Sequence, residues 1–413
     1  MNYKADIAII GGGASGLVAA ITAKRKNPRL SVYILEALDR VGKKLITTGN
    51  GRCNITNRNI TIDRYHGENS SFSEYALGKI DQGYTENFFS SIGVPFVSEG
   101  DKIYPASLQA ASVVDCLRFE CQRLAIEIIC NCKINEIKFK KPFILFSDND
   151  TISADVVICC GGMLSGGEKV GSDGSLFRIL KNYGFKGVKA SPSIVQLKTE
   201  TEFVKQLKGI KVDAVATLFK NNRAVKSEFG EVLFCDYGLS GPAILNISRE
   251  AHRTEGEYFV ALDLFPSLTE ETLYEMLCDR VKLLEYRKLE EFFTGMLNKR
   301  LGQVVLKYCG YTLHTEVKEL ATKDCKRIAN ALKSFTVKVL SNTGFNNSQV
   351  TAGGISTDEF DPKTMVSRRI SGLYACGELL DIDGDCGGFN LQWAWSSGIL
   401  AGESAVSFLG DKK

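Results

Sequence analysis

Three observations in the sequence predict an α/β fold: one domain, interrupted by an insert and completed by the C-terminal segment. The chain opens on a strand, a glycine turn and a small-residue helix. Short alternating strands and amphipathic helices take over after about residue 190, and glycine-rich strands return near residue 341. The opening is the most informative. Asp6-Ile7-Ala8-Ile9-Ile10 reads as the strand, and Gly11, Gly13 and Gly16 fill a G-x-G-x-x-G pattern ahead of the helix. Gly11 permits the tight turn, Gly13 lets backbone approach a phosphate, and Gly16 lets helix and strand pack closely. The helix N-terminus, at Ala14 and Ser15, offers unpaired N–H groups and partial positive charge to a pyrophosphate. A second strand, Leu30 to Leu35, runs into Glu36 and Ala37, where a carboxylate accepts from both ribose hydroxyls. A ribose acid disfavours a 2′-phosphate, which leaves FAD or NAD rather than NADP.

Composition narrows the class. A chain of 413 residues exceeds one ordinary core, so two or three domains are expected. Hydrophobic residues at 44% and charged residues at 24% describe a globular, enzyme-like protein. A net charge of +3 gives no support for nucleic acid or an anionic membrane as main partner. No signal peptide precedes the glycine turn, so the thirteen cysteines read as reduced thiols and the expected location is cytoplasmic. No C-x-x-C pair occurs, and His66, His252 and His314 lie far apart, so no metal site is expected. The apolar stretch Leu391 to Leu409 holds Gln392, Glu403 and several serines and reads as a packed helix, not a membrane span.

Along the chain, a helix is expected near Ala110 to Leu124, a third strand at Ile126 to Ile129 and a buried strand from Asp155 to Cys160, running into Gly161-Gly162. These elements place a first dinucleotide-domain segment at 1–190. The insert spans 191–340. Its β-barrel-like part covers about 191–265 and 335–340, with strands at Asp213 to Phe219 and Glu231 to Cys235. Its helical part covers about 266–334. Ser267-Leu268-Thr269-Glu270 is a capping-box candidate there, followed by Leu273, Met276, Leu277, Val281 and Leu284 at helical spacing. Two further helical patterns centre on Phe292, Met296 and Leu297, and on Ala321, Ile328 and Leu332. The segment 341–413 completes the first domain, with Val350 to Ile355, the strand Gly372 to Cys376 and a final helix.

Two features favour FAD. The strand ending in Gly377-Glu378 resembles the second FAD motif of the glutathione-reductase-like fold, where the acid binds the ribityl chain. Gly387-Gly388-Phe389-Asn390-Leu391-Gln392 opens the final helix directly after a loop; in such folds this helix aims its N-terminus at the flavin N1/O2 edge and stabilises the anionic reduced ring. The expected architecture is therefore a glutathione-reductase-like FAD-binding Rossmann domain, interrupted by a β-barrel-like unit plus a small helical unit.

Longer blocks carry a resemblance to a family. They are Gly42-Lys43-Lys44-Leu45, Thr48 to Asn57 (Thr48-Gly49-Asn50-Gly51-Arg52-Cys53-Asn54-Ile55-Thr56-Asn57), Gly238-Leu239-Ser240-Gly241-Pro242, Val350 to Gly354, and Gly377 through Asp383-Gly384 to Gln392. With these the chain resembles, nearly end to end, the YhiN/BaiN-like bacterial NAD(P)/FAD-dependent oxidoreductases. Where relatives often carry Thr-His before Gly238, this chain has Cys235-Asp236-Tyr237. The resemblance implies non-covalent FAD held by Gly11, Gly13, Ala14, Ser15, Gly16, Glu36, Ala37, Lys44, Gly51, Arg52, Cys53, Asn54, Ile134, Gly161, Gly377, Glu378, Gly388, Asn390 and Leu391. Relatives include a flavoprotein of bile-acid dehydroxylation, thought to reduce a conjugated enone, and an aminoacetone oxidase, so the family does not fix the reaction.

The flavin carries the electron transfer, and the protein positions, polarises and protonates. Disulfide reductases of similar fold place two cysteines four residues apart after the ribose acid. Here that region offers Cys53 alone, so no dithiol relay is expected. The insert has no second glycine turn, so any NAD(P)H is expected to dock transiently over the flavin, or the reductant is something else. Candidate catalytic groups are Arg52, for a phosphate or a developing enolate, Cys53, read equally as a packing residue, and Tyr237. Ser240 is weighed with Tyr237 as a proton donor, against a structural turn from Gly238 to Pro242. Asp381 and Asp383 are weighed as acid/base groups or as walls of the ribityl pocket, and Trp393 and Trp395 as core. The expected activity is reduction of an electron-poor C=C bond of a small molecule. Amine oxidation with release of hydrogen peroxide is the alternative, and a non-catalytic or RNA-associated flavoprotein a third reading. Oligomeric state is not legible.

Overall fold

The computed structural model describes residues 1–251 and 254–410; of the residues read above, His252 lies outside the described residues. The chain divides into two compact units: Met1–Pro192 together with the segment from Phe345 onward, and Ser193–Gly344.

In the first unit β1 (Asn2–Ile10) lies at the centre of a seven-stranded sheet. It pairs in parallel with β2 (Val32–Leu35) on one side and with Thr151–Cys159 on the other. Glu127–Ile129 extends the sheet beyond β2, again in parallel. The strand at Thr151–Cys159 starts earlier than the apolar run suggests, because its halves have different partners. Thr151–Ala154 pair antiparallel with Phe143–Phe146, and Val157–Cys159 pair in parallel with Leu373–Ala375. Register sets Leu35, Ile10, Cys159 and Ala375 side by side, so strands from both ends of the sequence finish on one edge. Crevices beyond such carboxyl ends are where open α/β sheets bind ligands. Ile7, Ala8, Ile9, Val156, Val157 and Ile158 are all buried, as expected of a sheet covered on both faces.

α1 (Ala14–Lys26) and the final helix Phe389–Leu409 pack against each other by omission of side chains. A Cβ on Gly398 would lie 2.4 Å from the Ser15 carbonyl oxygen, and one on Gly402 2.5 Å from that of Ala19. Trp393 and Trp395 are buried; Trp395 stacks edge-on against Phe89 and donates its indole N–H to the Ile55 carbonyl at 2.9 Å. No described helix is long and apolar enough to cross a membrane.

The second unit holds a closed barrel whose strands run, in order, Leu197–Thr199, Gly238–Ser240, Arg223–Phe234, Lys211–Lys220, Tyr258–Asp263 and Phe335–Asn342. Closure leaves no free edge. Ala214, Ala216, Leu218, Val232, Phe234, Val260 and Leu262 fill it at alternating positions. The two longest strands exceed the expected ones and meet at Asn221-Asn222, both at positive φ (48° and 64°), the backbone a tight hairpin requires.

Helices Glu270–Leu283, Lys299–Tyr308 and Thr322–Lys333 complete this unit. Three expectations need correction here. The first helix is capped by Thr269, whose hydroxyl accepts from the Thr272 N–H at 3.1 Å, and not by Ser267. Met276 points outward while Leu273 and Leu277 are buried. Phe292, Met296 and Leu297 form no helix, because Gly295 at φ +85° ends a short turn and Asn298 caps a new helix beyond it.

Candidate functional site

Each glycine of the first turn answers to a different steric demand. A Cβ on Gly11, at φ +104°, would meet the Cys160 carbonyl oxygen at 2.6 Å; one on Gly16 would lie 2.0 Å from the Gly11 oxygen. Gly13 is the exception. A Cβ there would touch nothing within 4 Å, yet Gly13 is the N-cap of α1 and no side chain caps that helix. Bare backbone, a helix N-terminus and open space coincide at Gly13-Ala14-Ser15, which is what an anionic group requires.

Glu36 directly follows β2 beside this turn. Its Oε2 accepts from the Gly12 N–H at 2.8 Å and its Oε1 from the Leu38 N–H at 2.9 Å. Burial pushes the Glu36 carboxyl above its ordinary range, against the lowering effect of those two donors. The carboxylate is thereby fixed in orientation with lone pairs left for further donors. Ala37 is exposed next to it. Ile134 is buried just beyond Cys132, whose N–H donates to the Glu36 carbonyl at 2.8 Å. Gly161 follows the strand Thr151–Cys159, and a Cβ there would press on Leu176 at 2.9 Å.

Another glycine-opened helix lies at the other end of the chain. Gly388, at φ +100°, is the N-cap of Phe389–Leu409, and again no side chain caps it. A Cβ there would lie 2.6 Å from the Thr56 carbonyl oxygen and 2.9 Å from Asn54 Oδ1. That Asn54 oxygen is buried with no hydrogen-bond partner among the described residues. Gln392, fully buried, holds the helix start in place: Thr56 donates its hydroxyl to Oε1 at 2.6 Å, and Nε2 reaches the Ile80 carbonyl, Thr85 and Ser396.

Lys44 and Glu378 are brought together as an ion pair, so Lys44 does not stand as a free cation. The other Glu378 oxygen accepts from the Thr351 N–H at 3.0 Å. Gly377, beside it, takes φ +68° and would place a Cβ 2.7 Å from Ser15 Oγ. The two motifs at the ends of the chain thus touch.

The remaining expected residues divide. Arg52 pairs with Glu99 at 2.7 Å and lies 4.6 Å from the centre of the Tyr104 ring, with Gly51 exposed beside it. Cys53 is fully buried, and burial pushes its thiol up to about 12, which favours the packing role over the nucleophilic one. The Asn390 side chain does not project free toward a ligand. Its Oδ1 accepts from the Gly384 N–H at 2.8 Å and its Nδ2 donates to the Gly384 carbonyl at 2.7 Å, so it clamps the preceding loop. Leu391 is half-buried in the first helical turn. Tyr237 belongs to the barrel unit, is 36% exposed, and has its phenol pushed up to about 12 by burial and by Cys235.

Sequence reading missed one cluster at this end of the sheet. Tyr65–His66 pairs with Asp383–Gly384, and Asp385 accepts from His66 Nε2 at 2.8 Å and from Arg64 at 3.2 Å. Asp381 and Asp383 are buried in the same loop, and Asp381 Oδ2 accepts from the Glu68 N–H at 2.7 Å. The signal was the spacing Asp381-x-Asp383-x-Asp385, which gives no hint of its partners.

An uncapped helix over open backbone, an oriented ribose acid and a second uncapped helix with an orphaned amide oxygen define a dinucleotide-binding redox protein of the FAD-binding Rossmann class. The sequence profile of the HI0933-like protein Rossmann domain matches residues 5–404, and the chain belongs to that family. It is an FAD-dependent oxidoreductase. It is similar to a 3-dehydro-bile acid delta(4,6)-reductase of Clostridium scindens, 36% identical over 407 residues, covering 97% of this chain and 98% of that one. It is also similar to a ribosomal RNA dihydrouridine synthase of Escherichia coli, 27% identical over 97% of this chain and 98% of the relative. Among solved structures, the FrdA subunit of an E. coli quinol fumarate reductase shares the fold. That likeness has a TM-score of 0.54 at 17% identity and covers 100% of this chain and 72% of that one.

Proposed function

We propose that this chain uses bound FAD to reduce a C=C bond conjugated to a carbonyl, in a small molecule of the steroid-dienone kind, with electrons from NAD(P)H. One observation supports this reading above others: the bile-acid delta(4,6)-reductase aligns over nearly all of both chains at 36% identity, against 27% and 26% for the RNA-acting relatives. The cofactor supplies hydride transfer. The backbone of Gly11, Gly13, Ala14, Ser15 and Gly16 would hold the pyrophosphate and Glu36 the adenosine ribose, with Ile134 and Ala37 beside it and Gly161 under the turn. Glu378, paired with Lys44, would face the ribityl chain. The N-terminus of Phe389–Leu409, with Gly388 and Leu391 in its opening turn, would carry partial positive charge toward the reduced ring, and Asn54 would offer its orphaned oxygen as an acceptor. A lone, buried Cys53 supports direct transfer rather than a dithiol relay.

The ribosomal RNA dihydrouridine synthases favour a second reading, at 27% and 26% identity. The chemistry is the same, because the C5=C6 bond of uracil is conjugated to the C4 carbonyl. The two readings differ only in what presents the bond.

Anaerobic mixing separates them. NADH and NADPH are each expected to bleach the flavin band, and a 3-oxo-4,6-diene steroid to restore it, with a product gaining two hydrogens per bond reduced. Recovery of colour by a uridine-containing ribosomal RNA fragment and not by the steroid would favour the second reading. Peroxide release from a small amine, with no nicotinamide requirement, would overturn both.

A further inference from the structure

We infer that His66 is the proton donor of this reaction and Asp385 its positioning residue, an assignment that rests on the C=C reduction proposed above. His66 lies on the two-residue strand Tyr65–His66, which pairs with Asp383–Gly384. That loop leads within four residues into Gly388 and the uncapped helix. The connection is rigid. Asp385 donates its N–H to the Arg64 carbonyl at 2.9 Å, Asn390 donates to the Asp385 carbonyl at 3.2 Å, and the Tyr65 hydroxyl donates to the Phe389 carbonyl at 3.0 Å. A ring hydrogen bond of 2.8 Å from Nε2 to Asp385 fixes the imidazole, while Arg64 holds the other carboxylate oxygen at 3.2 Å. The Arg64 guanidinium in turn sits 5.8 Å from the Phe389 ring centre, against the first residue of the helix.

The His66 side chain keeps 24% of its surface exposed, and its Nδ1 makes no hydrogen bond among the described residues. Asp385 is 7% exposed and holds both His66 and Arg64. A carboxylate orienting a partly exposed imidazole whose second nitrogen makes no hydrogen bond among the described residues is the arrangement of a directed acid. The other described histidine, His314, is 77% exposed in the barrel unit and meets Glu290 only at 4.0 Å. Saturating a conjugated C=C requires a hydride equivalent at the β-carbon, which reduced FAD supplies, and a proton at the α-carbon. In its imidazolium form His66 gives Nε2–H to Asp385 and releases the Nδ1 proton to that carbon. The π pair becomes the new C–H bond, and the imidazole regains a proton from water through its exposed edge.

The test uses the holoenzyme, reduced photochemically so that no nicotinamide is needed, and reoxidised by either of two probes. A 3-oxo-4,6-diene steroid needs the carbon protonated; ferricyanide takes electrons alone. With H66Q, reoxidation by the steroid is expected to slow by about 100-fold or more, the usual scale for loss of a general acid. Ferricyanide reoxidation, FAD content and steroid affinity, read from perturbation of the oxidised flavin band, should stay within about threefold. D385N should give an intermediate loss of about tenfold by misorienting the ring. Steroid reoxidation of H66Q at the wild-type rate would overturn the assignment. So would equal slowing with both probes, which marks a structural role. A wild-type enzyme that the steroid never reoxidises, although ferricyanide does, removes the proposed reaction itself and the assignment with it.

Discussion

Among the helices that start on a glycine without a side-chain cap, α1 and Phe389–Leu409 are built on opposite plans. α1 begins at Gly13 over open space, and its start is shaped by the backbone of its own glycine turn, with Gly16 pressed on Gly11, while distant segments pack on it only from Ser15 onward. Phe389–Leu409 begins at Gly388 pressed against Thr56, with Gln392 reaching Ile80 and Thr85 and the Asp385 loop tied to Arg64 and His66. One terminus is a local motif; the other is assembled from segments more than 300 residues apart, as the Thr56–Gln392 hydrogen bond illustrates. A local site tolerates change except at its own backbone, whereas an assembled one depends on buried polar bonds that a single substitution leaves unmet.

The largest expected effect sharpens the first half of that contrast. Gly16→Ala places a Cβ 2.0 Å from the Gly11 carbonyl oxygen. Because backbone must move, it should cost more than about 3 kcal/mol, read as a fall in the apoprotein's urea midpoint, with loss of FAD. Gln392→Leu probes the second helix. It strands the Thr56 hydroxyl and removes the donor to Thr85 Oγ1, while the Ile80 carbonyl keeps the Ser396 hydroxyl, and should cost about 2 kcal/mol by the same measure. An unchanged midpoint there would break the comparison. Gly13→Ala should leave the apoprotein midpoint within about 0.5 kcal/mol, since its Cβ meets only open space at ordinary φ and ψ.

The smallest effect concerns pH. Burial raises the Glu36 carboxyl above its unfolded value. The stability tied to its protonated form is therefore complete at low pH and declines as pH rises through the folded pKa. Melting temperatures of wild-type and Glu36→Gln apoprotein, compared from about pH 4 upward, should diverge with the wild type losing ground. A constant offset would mean that the carboxyl is not perturbed.

How much of this the sequence discloses follows from the same contrast. The glycine turn, Glu36 and the strand before Gly377 could be read because each is a short pattern with one physical solution. The final helix was visible as an apolar run, but the roles of Gln392 and Asn390 were not, since they are set by Thr56 and Gly384 in three dimensions. His66 and Asp385 are 319 residues apart, and no periodicity joins them. In the barrel, apolar alternation marked the strands and missed their lengths, because the Asn221-Asn222 hairpin rests on backbone angles. The helix expected around Phe292 failed for a similar reason: spacing alone does not register the break at Gly295 or the cap at Asn298.

The central claim is that one FAD is held on the bare backbone at Gly13 without help from side chains there. Titrating apoprotein with FAD, followed by quenching of flavin fluorescence, tests it most directly. The account predicts saturation at one equivalent for wild type, and for Gly13→Val a folded protein whose affinity is weaker by about tenfold or more. Equal affinity in the two proteins, or no saturable uptake by wild type, would contradict it.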